Sequence, residues 1–212
     1  MNDDTEQKLE GKLVKSFGVK DLGDLAAEYA ELGLDSILDE GLVKDIPIVR
    51  TLVSIAKIGA NIRDRLYVRK IIDFLVQVGN TTQEQRQAFV DKNCVDTKKF
   101  EEAVLLILEQ ADNMEKSALI GKIFKACILG KIALVDAVRL SEMVNRAFWR
   151  DLEKLVGGIE LPENCQQRLF MAGLCRLKGQ PLHLDSSAEF KYVMNEYGRT
   201  LTLVYKEKFN EL

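Results

Sequence analysis

Only three prolines occur in the 212-residue chain, at positions 47, 162 and 181, and this spacing constrains the fold more than any other feature. Proline removes an amide donor and clashes with the preceding turn, so it ends or kinks helices. The long stretch between Pro47 and Pro162 is therefore free to be helical, and its apolar residues recur at three- and four-residue steps. Ahead of it, Leu22, Leu25, Ala26, Tyr29 and Leu32 share one face of a short helix that Gly33 would stop. A second short piece follows at 35–38, with Asp45 as a cap candidate and Pro47 just inside the next helix. Residues 46–78 read as one long helix or as two joined near Gly59, ending at Gly79 and Asn80.

Thr81 and Thr82, each followed three residues later by Glu84 and Gln85, match the capping-box spacing and predict a helix start near Thr82. The next helix carries Phe100, Val104, Ile107 and Leu108 on one face; another turns Leu119, Ile123, Ala126 and Cys127 inward, with Gly121 as a packing position and Gly130 as its cap. Over 132–156 a helical rhythm runs through Leu134, Val138, Leu140, Val144, Phe148, Leu152 and Leu155 to Gly157 and Gly158. Pro162 suits the first turn of a helix ending at Gly173. Beyond it the pattern changes to short alternating runs around Gly179, Gln180 and Pro181, which predict a small antiparallel ribbon before a last helix from Tyr197 to Phe209. The expected fold is mainly α, a multi-helix bundle with a small antiparallel β-ribbon, winged-helix-like, near the C-terminus. The expected organisation is a frayed stretch at 1–20, a helical domain at 21–157 and a winged-helix-like module at 158–212.

A composition of 47% hydrophobic and 30% charged residues is that of a chain able to bury a core. The net charge of −3 argues against attraction of the whole molecule to nucleic acid. The polar, acidic opening residues lack the features of a secretory signal, which makes the cytoplasm the expected compartment and keeps Cys94, Cys127, Cys165 and Cys175 reduced. His183 is the sole histidine, excluding an HExxH zinc site and any two-histidine arrangement. No CxxC pair, GxxxxGK[ST] or strand-to-helix GxGxxG is present, and pairs such as Glu101 and Glu102 read as solvated faces. The chain thus shows no catalytic constellation, and neither an enzymatic activity nor a cofactor is expected.

One stretch stands out electrostatically. Residues 44–70 hold seven cations, Lys44, Arg50, Lys57, Arg63, Arg65, Arg69 and Lys70, against Asp45 and Asp64, whereas residues 1–43 hold eleven acids against four bases. On a helix Arg50, Ser54, Lys57, Asn61 and Asp64 form one narrow polar stripe, and apolar residues cover nearly everything else. Such a helix is either a central one packed on most sides, or a surface element at 46–62 that embeds in a bilayer interface or partner groove while its cations meet anionic headgroups. The second reading makes Arg50, Lys57, Arg63, Arg65, Arg69 and Lys70 the candidate surface for a protein partner or anionic lipid, peripheral to the inner membrane face. A spanning helix fits worst, because Arg50 and Lys57 interrupt the run.

The segment from Gly41 to Val49 (GLVKDIPIV), followed by Ile62 to Leu66 (IRDRL) and Lys70 to Leu75 (KIIDFL), resembles a family of uncharacterised bacterial proteins. That resemblance implies a bacterial or phage origin. Leu169 to Leu174 as a helix end, two strands, and Asn195 to Leu201 opening a helix together look like the back half of a winged-helix domain. A DNA-reading member would need a basic recognition helix, yet 162–172 offers only Arg168. The leading expectation is a non-enzymatic interaction protein, a regulator or adaptor with a protein partner; a peripheral membrane effector and a winged-helix DNA-binding regulator are the alternatives.

Overall fold

The computed structural model describes residues 9–33, 36, 45–59, 61–94, 96–178 and 192–212. The expected strand around His183 and the cation Lys44 lie outside these residues. The chain divides into two compact units, Met1–Val138 and Arg139–Leu212. Among the described residues there are eleven helices and one two-stranded sheet, a mainly α fold with a small ribbon near the C-terminus. The division falls inside a helix rather than at Gly157 and Gly158, where glycine composition places the expected boundary.

The first unit contains α1 (Lys12–Phe17), α2 (Leu22–Glu31), α3 (Pro47–Gly59), α4 (Ile62–Gly79), α5 (Gln83–Asn93), α6 (Thr97–Gln110), α7 (Met114–Ile128) and the start of α8 (Leu134–Arg146). Glycine and asparagine separate α3 from α4: the first helix ends at Gly59, and Asn61 caps the second by accepting the Arg63 amide. Helix α5 opens with the full capping box of Thr82 and Gln85. Helix α7 closes as expected on Gly130, whose φ of 71° only glycine adopts freely. The Gly130 amide there meets the Cys127 carbonyl and the Lys131 amide the Ala126 carbonyl, both at 2.9 Å.

Helix α4 lies among α2, α3, α6 and α7. Two of its neighbours approach to backbone contact, where no side chain has room. A Cβ on Gly121 of α7 would stand 2.7 Å from the Phe74 carbonyl oxygen, and Gly79 at the end of α4 faces Gly23 of α2 just as closely. Phe74 then joins Phe124, Phe100, Phe89 and Phe17 in a chain of ring contacts with centroids 5.6 to 6.4 Å apart. Such tilted and edge-on pairs add about 0.5–1.5 kcal/mol each beyond the area they bury.

Phe17 belongs to a segment expected to be frayed, and α1 is the main correction to the sequence reading. Six residues cannot hold a helix in water, because nucleation costs more than so few hydrogen bonds return. Here both ends are held by buried charges from other helices. Glu101 of α6 accepts the Gly11 and Val14 amides, at 2.5 and 2.8 Å, in place of a local N-cap. Arg86 of α5, only 1% exposed, donates to the carbonyls of Phe17 at 2.7 Å, Val19 at 2.6 Å, Lys20 at 3.4 Å and Thr81. The signs suit a helix, anionic at its amide end and cationic at its carbonyl end. Ser16 passes the support on: its hydroxyl accepts the Ile48 amide in the first turn of α3, at 3.0 Å. Asp45, the expected cap there, instead accepts the Tyr29 hydroxyl at 3.3 Å.

The second unit holds most of α8, then α9 (Trp149–Gly157), α10 (Glu163–Met171), β1 (Cys175–Leu177), β2 (Tyr192–Met194) and α11 (Glu196–Tyr205). The strands are antiparallel, with Cys175 opposite Met194 and Leu177 opposite Tyr192. Phe148, expected to face inward, is 70% exposed. The helical rhythm is broken at Ala147, and Phe148 takes an extended backbone as the N-cap of α9, so Ala147 faces inward instead.

Gly121→Val should cost about 1–3 kcal/mol, because the backbone of α4 cannot yield to the added methyls. Arg86→Met should cost about 3 kcal/mol by leaving carbonyls at the end of α1 without donors. Urea unfolding followed by circular dichroism checks both; wild-type midpoints in either variant would refute the corresponding contact.

Candidate functional site

The sequence-derived basic residues are divided between α3 and α4. On α3 the stripe exists as expected: Arg50, Ser54 and Lys57 are exposed, while Ile48, Val49, Leu52, Val53 and Ala56 are buried in the unit. The cations of α4 are directed elsewhere. Arg69 donates to the Leu32 carbonyl just past α2 and to Asp73, both at 3.2 Å. Lys70 donates to the Glu109 carbonyl at 3.1 Å, and Arg63 reaches the Glu109 carboxylate at 3.1 Å. Arg65 is half-buried. Arg69 and Lys70 thus meet carbonyls at helix C-termini, as the fields there favour, and Arg63 meets a glutamate.

Arg63, Tyr67 and Lys70 instead border a cleft between α4 and α6. It has two lobes that share Leu9, Tyr67 and Glu109. The larger, about 390 Å³, runs beside α6 past Lys98, Glu102, Leu105 and Leu106 to Glu109, with Glu10 on its other side. The smaller, about 290 Å³, reaches α3 at Leu52, Ile55 and Ala56 and is edged by Arg63, Asp64 and Lys70. Both are of the size at which ligand-binding clefts begin.

The floor is apolar and its polar groups are fixed. Leu9, Leu52 and Leu105 are buried, and the Tyr67 hydroxyl donates to the Leu105 carbonyl at 3.1 Å. Burial, with Glu109 close by, pushes the Tyr67 phenol well above its ordinary range, so it stays a neutral donor. Burial lowers Lys70 from the usual lysine range, an effect that the nearby Glu109 opposes. Lys98 pairs with Glu102 at 3.7 Å. Over this rim Leu106 stands 54% exposed.

Of the pair Glu101 and Glu102, read as a solvated face, only Glu102 is exposed; Glu101 is spent on α1, and its grip on Gly11 places Leu9 and Glu10 at the cleft wall. Tyr67, Leu106 and Glu109 were not singled out by sequence reasoning. One signal did mark the place: the unbroken run from Val104 to Leu108 is wider than a single helix face and obliges α6 to cover apolar surface on a second side.

In the second unit, Arg168 is the lone cation of α10, and it is directed onto Asp151 of α9, with Nε and Nη2 at 2.6 and 2.8 Å. The Cys165 thiol donates to the same carboxylate at 3.0 Å. The Arg168 hydrogen bonds hold the Asp151 carboxyl below its usual range, and burial followed by that carboxylate pushes the Cys165 thiol up to about 11. All four cysteines are free and buried. Among the described residues no three His, Cys, Asp or Glu side chains gather as a metal site, and no helix is long and apolar enough to cross a membrane. Compared with protein-family models, curated proteins and solved structures, the chain matches none.

Burial pushes Cys94 up to about 11 and Cys127 up to about 12. The thiolate is the reactive form, so a thiol-specific reagent at neutral pH should label all four cysteines in denaturant and none rapidly in the folded protein. A folded thiol keeps its proton where an unfolded one, with a pKa of about 8.5, has lost it. The associated stability is complete below that pH and declines as pH rises through the folded values. Cys127→Ala should flatten the alkaline limb of a stability curve; an unchanged limb would count against the buried thiol.

Proposed function

We propose that this protein is an interaction module, an adaptor or regulator that receives a segment of a protein partner in the cleft between α4 and α6. The observation that carries the reading is Leu106, more than half exposed above a floor of buried leucines and bordered by charges, of which Glu109 is already held by Arg63 and Lys70. An apolar centre within a polar rim is the anatomy of protein interfaces, and side chains held in place before binding lower the entropy lost on association. The reading of 46–62 as a lipid-facing helix would require α3 to leave its unit, because Ile48, Val49 and Val53 are buried there. The reading of α10 as a DNA-recognition helix finds its single arginine committed to Asp151.

Leu106→Asp tests the reading. The side chain is exposed, so stability should stay within about 0.5 kcal/mol of wild type. Affinity capture from the source organism with wild type as bait should return a partner that the variant fails to hold. Equal recovery of every captured protein by the two baits would refute the cleft as the docking place.

A further inference from the structure

We infer that the partner segment is a basic amphipathic helix, lying along α6 with leucine-like side chains on the cleft floor and lysines or arginines against its glutamates. The inference rests on the reading of the cleft as a docking surface and adds the chemistry of what docks. The cleft follows α6 from Lys98 to Glu109, about 16 Å at the rise of an α-helix, which is the length of three turns. Its larger lobe is lined by Glu10, Glu102 and Glu109 against the single cation Lys98; Glu101 is held by the α1 amides, and Glu109 also meets Arg63. Glu10 has no ion partner among the described residues, and Glu102 holds Lys98 only at 3.7 Å with both side chains more than half exposed.

Leu105 and Leu106 lie between Glu102 and Glu109, so one turn of acid, one of leucine and one of acid succeed each other along α6. A helix with apolar residues three and four apart, flanked by cations one turn away, reproduces that order in complement. An acidic segment would meet like charges, which costs affinity and slows encounter.

The probe is a synthetic helical peptide of about fourteen residues, roughly 21 Å long, built from leucine and lysine in amphipathic order and titrated into the full-length protein. Its comparisons are a scrambled peptide of the same composition and a leucine and glutamate peptide with the same pattern. The basic amphipathic peptide should bind, the scrambled one at least about tenfold more weakly, and Leu106→Asp and Glu102→Lys should each weaken binding by about tenfold while circular dichroism stays unchanged. Equal binding of ordered and scrambled lysine peptides would reduce the effect to bulk charge and overturn the inference. Binding of the glutamate peptide instead, still lost in Leu106→Asp, would overturn the basic partner while leaving the docking cleft standing. If neither peptide binds, the inference fails, and the capture experiment judges the cleft separately.

Discussion

Two buried charges acting on one short helix support much of the first unit. Glu101 and Arg86 grip opposite ends of α1, and without them six residues have no reason to be helical. Because α1 is held, Phe17 enters the phenylalanine chain, Ser16 closes the first turn of α3, and Leu9 with Glu10 forms a wall of the cleft. Charges so deeply buried are costly to desolvate, and among the described residues neither forms a salt bridge. They are compensated by backbone dipoles, several carbonyls on the guanidinium and two amides on the carboxylate.

Glycine supplies the second constraint. Where α4 meets α2 and α7, the backbones themselves are in contact, so Gly79, Gly23 and Gly121 act by having no side chain. This proximity fixes α4 among its neighbours. It also sets the direction in which Arg63, Tyr67 and Lys70 project, toward the end of α6 and its Glu109. A cation-rich stretch becomes in this way one side of a cleft whose larger lobe is acidic, with Arg69 and Lys70 directed to helix ends. The second unit uses the same economy, in which Asp151 occupies the one arginine of α10 together with a buried thiol.

Much of the helical layout was legible in the chain. Thr82 with Gln85, Gly130 and Pro162 act locally, and each marks a helix end by chemistry that needs no distant partner. The inward positions of α6 and α7 followed from period alone. Phe148 shows where period misleads: one break at Ala147 turns it outward, while Leu152 and Leu155 beyond it stay buried. The cleft was harder to see, because Tyr67, Glu10 and the α6 pair Glu102 and Leu106 come from three separate segments and none is unusual where it stands.

The sequence by itself determined a mainly helical chain, a small ribbon before its final helix, and most of the places where helices begin and end. These depend on amide and carbonyl groups within one turn of the residue that satisfies them. Only the tertiary structure decided that 12–17 is helical, that Arg86 and Glu101 are buried, and that Arg63 and Lys70 of α4 reach the end of α6. Charges and short helices are settled by partners remote in sequence, such as Glu101 some ninety residues beyond Gly11. Such pairings exist only once the core has brought the segments together.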